Sequence, residues 1–253
     1  MTAAPGVLMT PQGVRISDRR WAAVGDRRSA VGDQWAPVGA GTESTLMDTW
    51  DRIVSLRTEL AAQAEAFTPA QWDTQSLCTG WRVRDVVAHM TMPERFSLVG
   101  GLPDMIRSGF RLSKVLHQDA VRRGSAPVAD VLDGYRAAIS HRTLPPGRSV
   151  ANVLAEVVAH TQDIRRALGL PWSFDPEVLR AVADTLHADA ALKVPGRVAG
   201  LRLAATDTGW AAGEGVEVSG PLEALVLAMV GRCVVLPELS GPGVATLAAR
   251  TNG

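Results

Sequence analysis

The sequence predicts an α+β fold in which an amino-terminal antiparallel four-helix bundle precedes a small α+β domain. Three observations support this prediction. Helical hydrophobic patterns separated by turns fill residues 47–172, alternating hydrophobic residues follow near residue 201, and a glutamate and a histidine share one apolar helix face. Helices joined by turns are typical of bundles, in which inward-facing side chains commonly build metal sites.

The composition favours a globular protein without a strongly charged partner. The chain has 253 residues, of which 46% are hydrophobic and 21% charged, and its formal net charge is zero. Balanced charge disfavours nucleic acid or an anionic membrane as the main partner. No apolar run reaches the roughly 20 residues that span a bilayer. Two cysteines are too few for a disulfide framework, so we expect a cytoplasmic protein.

Three segments are expected along the chain. Residues 1–46 are rich in Gly, Ala, Pro and Arg and contain the related pieces AAVGD, SAVGD and APVGA, which predicts a disordered leader. Residues 47–172 form the predicted bundle, and residues 173–253 form the small α+β domain. Because Met47 directly precedes the first well-patterned helix, it is a candidate native start.

Hydrophobic spacing and helix breakers predict the bundle helices, and Gly80 should break the chain before the second one. A proline at residue 127 is well placed at a helix start, and Gly169 is well placed at a helix end. The predicted helices lie within residues 47–67, 77–91, 127–142 and 150–170, and a basic amphipathic helix is expected at 104–123.

Beyond Trp172 the pattern changes to that of an α+β module. A helix is predicted from Asp175-Pro176 to about Leu192, and the alternation in residues 197–207 predicts a strand. Short strands are expected around Trp210 and at 216–218. A last helix begins at Pro221, and its buried stripe is predicted to contain Leu222, Leu225, Val226 and Met229.

The helix at 150–170 carries two polar residues on its apolar face. Glu156 and His160 are four residues apart, so they lie on one side of the helix, in line with Val153 and Ile164. A carboxylate there is costly unless it is paired or bound to a metal ion. A hydrogen-bonded Glu156–His160 pair that closes a polar pocket is the alternative, and the residue pattern alone leaves both open.

His89 is the candidate for a third ligand, because it shares a helix face with Val86 and Met90. Taken alone, an inward-facing histidine is more often a core residue than a ligand. Together with Glu156 and His160 it makes a three-ligand set that leaves one coordination position open, as catalytic zinc sites do. The same set could hold nickel, manganese or iron.

Further residues near these positions have two interpretations each. Asp163, one turn beyond His160, could accept a hydrogen bond from it. Its alternative role is an ion pair with Arg166 or Arg82. Arg232 could clamp a substrate carboxylate or cap its own helix. The remaining histidines are expected to face solvent, and one cysteine is expected to be a small buried residue: His117, His141, His187 and Cys78.

Three motifs occur in one order along the chain: LCTGWRVRDVVAHM, then EVVAHTQDIRRALG, then ATDTGW followed by VSGPLEALVLAMVGR. Together they resemble the mycothiol-dependent maleylpyruvate isomerase family of actinobacteria, from about residue 47 to the end. The resemblance implies a DinB-like metal-binding four-helix bundle followed by a small α+β domain. It also implies a divalent metal, zinc in the isomerase, held by His89, Glu156 and His160, and so favours metal over the polar pair.

The resemblance further implies mycothiol as a cofactor, whose sulfur takes the open position as a nucleophilic thiolate. In the isomerase the thiolate adds to the cis double bond of maleylpyruvate, rotation follows about the resulting single bond, and elimination gives the trans product. Arg232 matches an arginine of the family's GR motif, which implies a contact with an anionic substrate. The chain departs from the family pattern at Pro93 and in its unmatched leader, so the substrate is not carried over.

We therefore expect a metal-dependent enzyme that uses a low-molecular-weight thiol for isomerisation, conjugation or S-transfer on a small electrophile. One alternative is a hydrolase in which a metal-bound hydroxide replaces the thiolate. Another is a non-catalytic metal-binding or sensing module. The sequence contains no helix-turn-helix or coiled-coil pattern through which such a module would signal, which favours the enzyme.

Overall fold

The computed structural model of the protein describes residues 40–91 and 112–251, with side chains described over 48–91 and 113–251. Most of the predicted leader, residues 1–39, and Pro93, where the sequence departs from the family pattern, lie outside the described residues. Within them, the chain forms a largely helical fold with one small three-stranded sheet. The predicted α+β class is confirmed at this level.

Six helices precede the sheet region in the amino-terminal part of the described chain. They are α1 (Ala40–Ala64), α2 (Pro69–Trp72), α3 (Val83–His89), α4 (Leu112–Gly124), α5 (Val128–Ala138) and α6 (Val150–Ala167). The first helix begins at Ala40 rather than at the predicted Met47. The described half of the predicted basic helix is helical as α4, and its first residues lie outside the described part.

The carboxyl-terminal part combines helices with short strands. Its elements are α7 (Pro176–His187), α8 (Val194–Val198), β1 (Leu201–Ala205), β2 (Ala211–Ala212), β3 (Val216–Gly220), α9 (Leu222–Met229), a 3₁₀ helix (Cys233–Glu238) and α10 (Val244–Thr251). Helix α7 ends before the predicted Leu192, because the Asp189 carboxylate accepts a hydrogen bond from the Leu192 N–H in the following turn. The first residues of the predicted strand at 197–207 belong instead to α8.

Local capping fixes the two helices that carry the candidate ligands. At the start of α6, Ser149 Oγ accepts from the Asn152 N–H, and Asn152 Oδ1 accepts from the Ser149 N–H at 3.0 Å. At the start of α3, the Asp85 carboxylate accepts from the Arg82 N–H at 2.8 Å. The cap of α6 is reciprocal, whereas that of α3 is formed by the Asp85 carboxylate alone. Both satisfy backbone donors that a helix start otherwise leaves unpaired. The capping hydrogen bonds therefore fix the start of each helix, close to the candidate ligands that the helix carries.

Helix α1 packs against both α5 and α6. Its ion pairs with the α5 region, Glu65 with Arg136 and Asp51 with Arg142, show that α1 and α5 run in opposite directions. The buried Arg57 of α1 donates to the carbonyl oxygen of Ala138 at 3.2 Å, at the end of α5. This bond satisfies a carbonyl that the helix end leaves without an intrahelical partner.

Helices α3 and α4 approach each other closely at a glycine. A Cβ atom built on Gly124 would lie 2.0 Å from Asp85 Oδ1 and 2.8 Å from Asp85 Cα. Only a residue without a side chain fits this contact. Gly124 therefore allows α4 to pack tightly on the helix that carries His89.

The sheet has the strand order β2-β1-β3, with β1 antiparallel to β2 and parallel to β3. Leu203 of β1 lies beside Val218 of β3, and both side chains are buried. Helix α9 packs against these two strands and also against α7. A single cluster of buried hydrophobic side chains extends from α1 to α10. Among the described helices, none is long and apolar enough to span a membrane.

Candidate metal centre

The structure brings together the three residues that the sequence singled out as ligands. One donor atom each from His89, Glu156 and His160 lie within 4.8 Å of one another. His89 Nε2 is 3.5 Å from Glu156 Oε1, and the two imidazole rings are almost perpendicular, with centroids 5.1 Å apart. Two imidazoles and a carboxylate at this spacing are within reach of one ion, and they form the donor set of known open zinc sites.

The three side chains differ in their exposure to solvent. The His89 side chain is 9% exposed and that of His160 12%, whereas that of Glu156 is 28% exposed. The carboxylate therefore lies on the accessible side of the cluster. A small molecule would approach the cluster from that side.

His89 is held as a neutral imidazole. Burial lowers its pKa, the positive charges of His160 and Arg123 lower it further, and the resulting pKa is about 3. A neutral imidazole keeps a nitrogen lone pair available for a metal ion. The 3.5 Å approach of Glu156 to His89 is thus no ion pair at neutral pH, since the imidazole carries no charge there.

His160 is oriented by a carboxylate behind it. Its Nδ1 lies 3.0 Å from Asp163 Oδ2 and 3.7 Å from Cys78 Sγ. Burial would lower the pKa of His160, but the hydrogen bonds to Asp163 and Cys78 raise it to about 10. Since Nδ1 bonds Asp163, Nε2 is the nitrogen left for an ion. The hydrogen bond predicted as one role of Asp163 is therefore present, and the Nδ1 of His160 bonds this residue rather than Glu156.

Asp163 in turn is held by Arg232. The Arg232 Nε donates to Asp163 Oδ1 and its Nη2 to Oδ2, each at 2.7 Å, and the Asp163 side chain is fully buried. Burial alone would raise the pKa of Asp163, but the bonds from Arg232 and His160 lower it far below its ordinary value. Asp163 is therefore an anion that pairs with Arg232, and the predicted pairing with Arg166 or Arg82 is wrong.

A second group of possible ligands overlaps the first. Cys78 Sγ, His160 Nδ1 and Asp163 Oδ2 also lie within 4.8 Å of one another. However, the Arg232 Nη2 lies 3.0 Å from the sulfur and 2.7 Å from the carboxylate oxygen. A guanidinium cation already balances the charge of this group, so a second cation there would be repelled. We assign the candidate metal centre to His89, Glu156 and His160.

Comparison with known proteins supports the predicted resemblance. Residues 53–100, about a fifth of the chain, match the family model described as "Mycothiol maleylpyruvate isomerase N-terminal domain". The resemblance predicted from the three sequence motifs is thereby confirmed.

Solved structures of this family share the fold of the chain. The crystal structure of "the mycothiol-dependent maleylpyruvate isomerase" is 16% identical to the chain, with a TM-score of 0.53. The structure of a histidine-to-alanine mutant with the same name is 14% identical, with a TM-score of 0.50. Each similarity covers 78% of this chain and 92% of the other one. At such low identity the similarity shows the fold alone. A comparison with curated proteins gives no match.

An indole ring lies beside the candidate metal centre. The Trp81 ring centroid lies 4.7 Å from that of His89 and 6.2 Å from that of His160. The exposed His117 also stacks on the indole, with ring centroids 5.9 Å apart. The indole therefore covers both candidate ligands with an apolar surface, which limits the access of water.

The loop that carries Trp81 is fixed by backbone hydrogen bonds. Leu77 N–H donates to the carbonyl oxygen of Asp163 at 3.1 Å, and Ser76 Oγ donates to that of Trp81 at 2.8 Å. Gly80 has a φ of +75°, a conformation that glycine adopts without strain. The loop thus docks directly on the helix that carries Glu156 and His160.

Sequence reasoning missed two of the residues around the centre. Trp81 was given no role, although it stands in the LCTGW motif immediately before the His89 helix. Cys78 is buried, as predicted, but its contacts with Asp163 and Arg232 were not foreseen. No local spacing indicates these contacts, because the three residues come from distant parts of the chain.

Proposed function

We propose that this chain is a metal-dependent enzyme that uses mycothiol for isomerisation, conjugation or S-transfer on a small electrophile. The observation that carries the proposal is the convergence of His89, Glu156 and His160 within 4.8 Å. The family model that residues 53–100 match is named for mycothiol, and the structural neighbours are described as mycothiol-dependent, which supports the thiol. We propose zinc as the ion, because two imidazoles and one carboxylate suit it and leave a position open.

Each side chain has a distinct part in holding the ion. The neutral His89 offers a lone pair without first losing a proton. His160 would bind the ion through Nε2, because Asp163 takes Nδ1, and the ion would displace the proton that the raised pKa of His160 keeps on the ring at neutral pH. Glu156 adds a negative charge on the accessible side. When bound, the ion would favour the thiolate form of a thiol beside it, and a thiolate is a nucleophile at neutral pH.

Arg232 is proposed to act in two ways. Through Asp163 it orients His160, and this role rests on the two hydrogen bonds of 2.7 Å. Its remaining Nη1 contacts only the Val230 carbonyl oxygen, at 3.3 Å, among the described residues, and we propose that this group also binds an anionic substrate. The candidate ligands on α3 and α6 would then lie in the same site as Arg232, which comes from the part of the chain beyond residue 173.

We also propose that the chain is divided into two domains, as the sequence predicts. We propose that α1, α3, α5 and α6 form a DinB-like four-helix bundle within residues 47–172, and that residues 173–253 form a second domain. Under this proposal the bundle supplies the ligands and the second domain supplies Arg232. This arrangement is typical of sites built between packed elements.

The experiment that tests the proposal is an activity assay with and without mycothiol. Zinc-loaded protein should turn over maleylpyruvate or 1-chloro-2,4-dinitrobenzene only when mycothiol is added. Glu156→Gln should lose this thiol-dependent turnover, because the change removes a proposed ligand charge. Glu59→Gln, an exposed change on α1, should keep it. Turnover of an ester or amide substrate without thiol would instead support the hydrolase.

A further inference from the structure

A cavity with a wall that contains none of the three candidate ligands lies where α6 ends and α7 and α9 begin. Its volume is about 440 Å³, which is within the range of small-molecule sites. Its wall includes Arg165 at the end of α6, Trp172 and Phe174 in the connection to α7, and Thr208 after β1. Nothing in the proposed function uses these residues.

Three polar atoms on the wall side chains have no hydrogen-bond partner within the described part of the chain. They are Arg165 Nε, Trp172 Nε1 and Thr208 Oγ1, and all three are shielded from solvent. Two are N–H donors and the third is a hydroxyl, which donates or accepts. Each buried polar group without a partner carries a desolvation penalty. A ligand that carries a hydrogen-bond acceptor would therefore supply the partner that these groups lack.

The same wall contains two aromatic side chains. The Trp172 and Phe174 rings lie 5.7 Å apart at an angle of 37°. The Arg165 guanidinium carbon lies 5.9 Å from the centre of the Phe174 ring, so the cation covers part of this aromatic pair. Aromatic faces of this kind favour a flat or aromatic partner.

The charges of the wall are already balanced. Arg165 and Arg166 both bond the Glu223 carboxylate, and Arg166 also bonds Glu238 at 2.5 Å. Asp207 Oδ1 accepts from the Leu222 N–H at 3.0 Å, at the start of α9. An added carboxylate would meet the carboxylates of Asp207 and Glu223, and each wall guanidinium already forms an ion pair with Glu223 through another of its nitrogen atoms. Electrostatics therefore disfavour an anionic ligand.

We propose that this cavity binds a small, flat, uncharged molecule with an oxygen acceptor, such as an aromatic amide or ketone. Its apolar part contacts the edges of the aromatic pair, and its oxygen accepts from the Trp172 indole N–H, which points outward in the ring plane, and from the Thr208 hydroxyl. Because both polar atoms are shielded in the free protein, a small rotation of their side chains accompanies binding. The new hydrogen bonds then remove the penalty of the unpaired donors.

The test uses the full ¹⁵N-labelled chain and two probes of the same shape, benzamide and benzoate. Trp172→Phe assigns the Trp172 indole N–H resonance. Trp210 is an internal reference, because its indole N–H already donates to Asp184 at 2.7 Å. Benzamide should shift the Trp172 resonance to saturation in the millimolar range and leave that of Trp210 in place. Benzoate should bind about tenfold more weakly.

A hydroxyl deletion tests the polar contact directly. Thr208→Val keeps the shape of the side chain and should weaken benzamide binding about fivefold. Thr185→Val on α7 is the matched control, because its hydroxyl bonds the Ala181 carbonyl, and it should bind as the wild type does. An unchanged Trp210 resonance shows that each variant is folded.

Two results would overturn the proposal. If millimolar benzamide leaves the Trp172 indole resonance unmoved, no such site exists and water serves the unpaired donors. If benzoate binds as well as benzamide, or if Thr208→Val binds as the wild type does, the assignment to an uncharged acceptor ligand is wrong.

Discussion

Asp163 and Arg232 are 69 residues apart in the sequence and are joined by two hydrogen bonds of 2.7 Å. The same carboxylate lies 3.0 Å from the Nδ1 of His160. A side chain from the carboxyl-terminal part of the chain thus sets the orientation of a proposed metal ligand on α6. Because Asp163 is fully buried, its charge depends on these two partners.

Replacement of Asp163 by asparagine should impair both stability and metal binding. The neutral amide leaves the Arg232 guanidinium without its counter-charge, and the free energy of unfolding should fall by about 3–5 kcal/mol. The His160 ring loses its anionic partner, so zinc affinity should fall about 10- to 100-fold. Urea unfolding and competition with a fluorescent zinc chelator measure the two effects.

Asp133→Asn is the matched control for this prediction. Asp133 forms an ion pair with Arg136 at 2.9 Å, but its side chain is 71% exposed. Such exposed pairs contribute less than about 1 kcal/mol. If Asp163→Asn changed stability and zinc affinity no more than Asp133→Asn does, Asp163 would not have the role assigned to it.

The three candidate ligands could be found from the sequence because each one interrupts an apolar helix face. Glu156 and His160 are polar residues at a spacing of four, and His89 lies on a face with Val86 and Met90. This signal is local and depends only on helix geometry. The pairing of Asp163 could not be found in this way. The sequence offered Arg166, three residues away, and the distant Arg82 as partners, whereas the observed partner is Arg232.

The expected partners of Asp163 are engaged elsewhere, which explains that error. Arg82 bonds Asp85 and Asp73, and Arg166 bonds Glu223 and Glu238. These choices depend on how distant elements pack, and one sequence does not reveal them. Helix and strand positions were predicted more fully, since they depend on hydrophobic spacing and on turn residues.

Gly124→Ala should destabilise the protein, because its added methyl group would clash with Asp85. The new Cβ would lie 2.8 Å from Asp85 Cα, so backbone must move. Overpacking of this kind should lower the free energy of unfolding by about 1–3 kcal/mol. Gly134→Ala on α5 is the control, since a Cβ there meets nothing within 4 Å. It should be neutral or stabilise by up to about 1 kcal/mol. Equal effects in urea unfolding would contradict the close α3–α4 contact.

Asp189→Asn should reduce stability in a way that depends on pH. Arg148 bonds both Asp189 oxygens, at 3.2 and 2.6 Å. Burial raises the pKa of Asp189, but the bonds from Arg148 and the Leu192 N–H outweigh burial and hold it below its ordinary 3.8. The charged carboxylate therefore stabilises the fold above that value, and this contribution is lost as the pH falls through the lowered pKa.

Urea unfolding at pH 7 and at about pH 3 tests whether the stabilisation by Asp189 decreases as the pH falls. At pH 7 the wild type should exceed Asp189→Asn by about 2 kcal/mol in the free energy of unfolding. At the lower pH the difference should shrink. A difference that stays constant or grows toward low pH would be the contrary result.

The central claim is that His89, Glu156 and His160 bind one metal ion, and metal analysis tests it most directly. Protein purified without chelator, offered zinc and then dialysed should hold about one zinc ion per chain. His160→Ala should lose this zinc, whereas His187→Ala, on α7 outside the cluster, should retain it. A wild type that stays free of zinc, or a His160→Ala protein that keeps it in full, would contradict the claim.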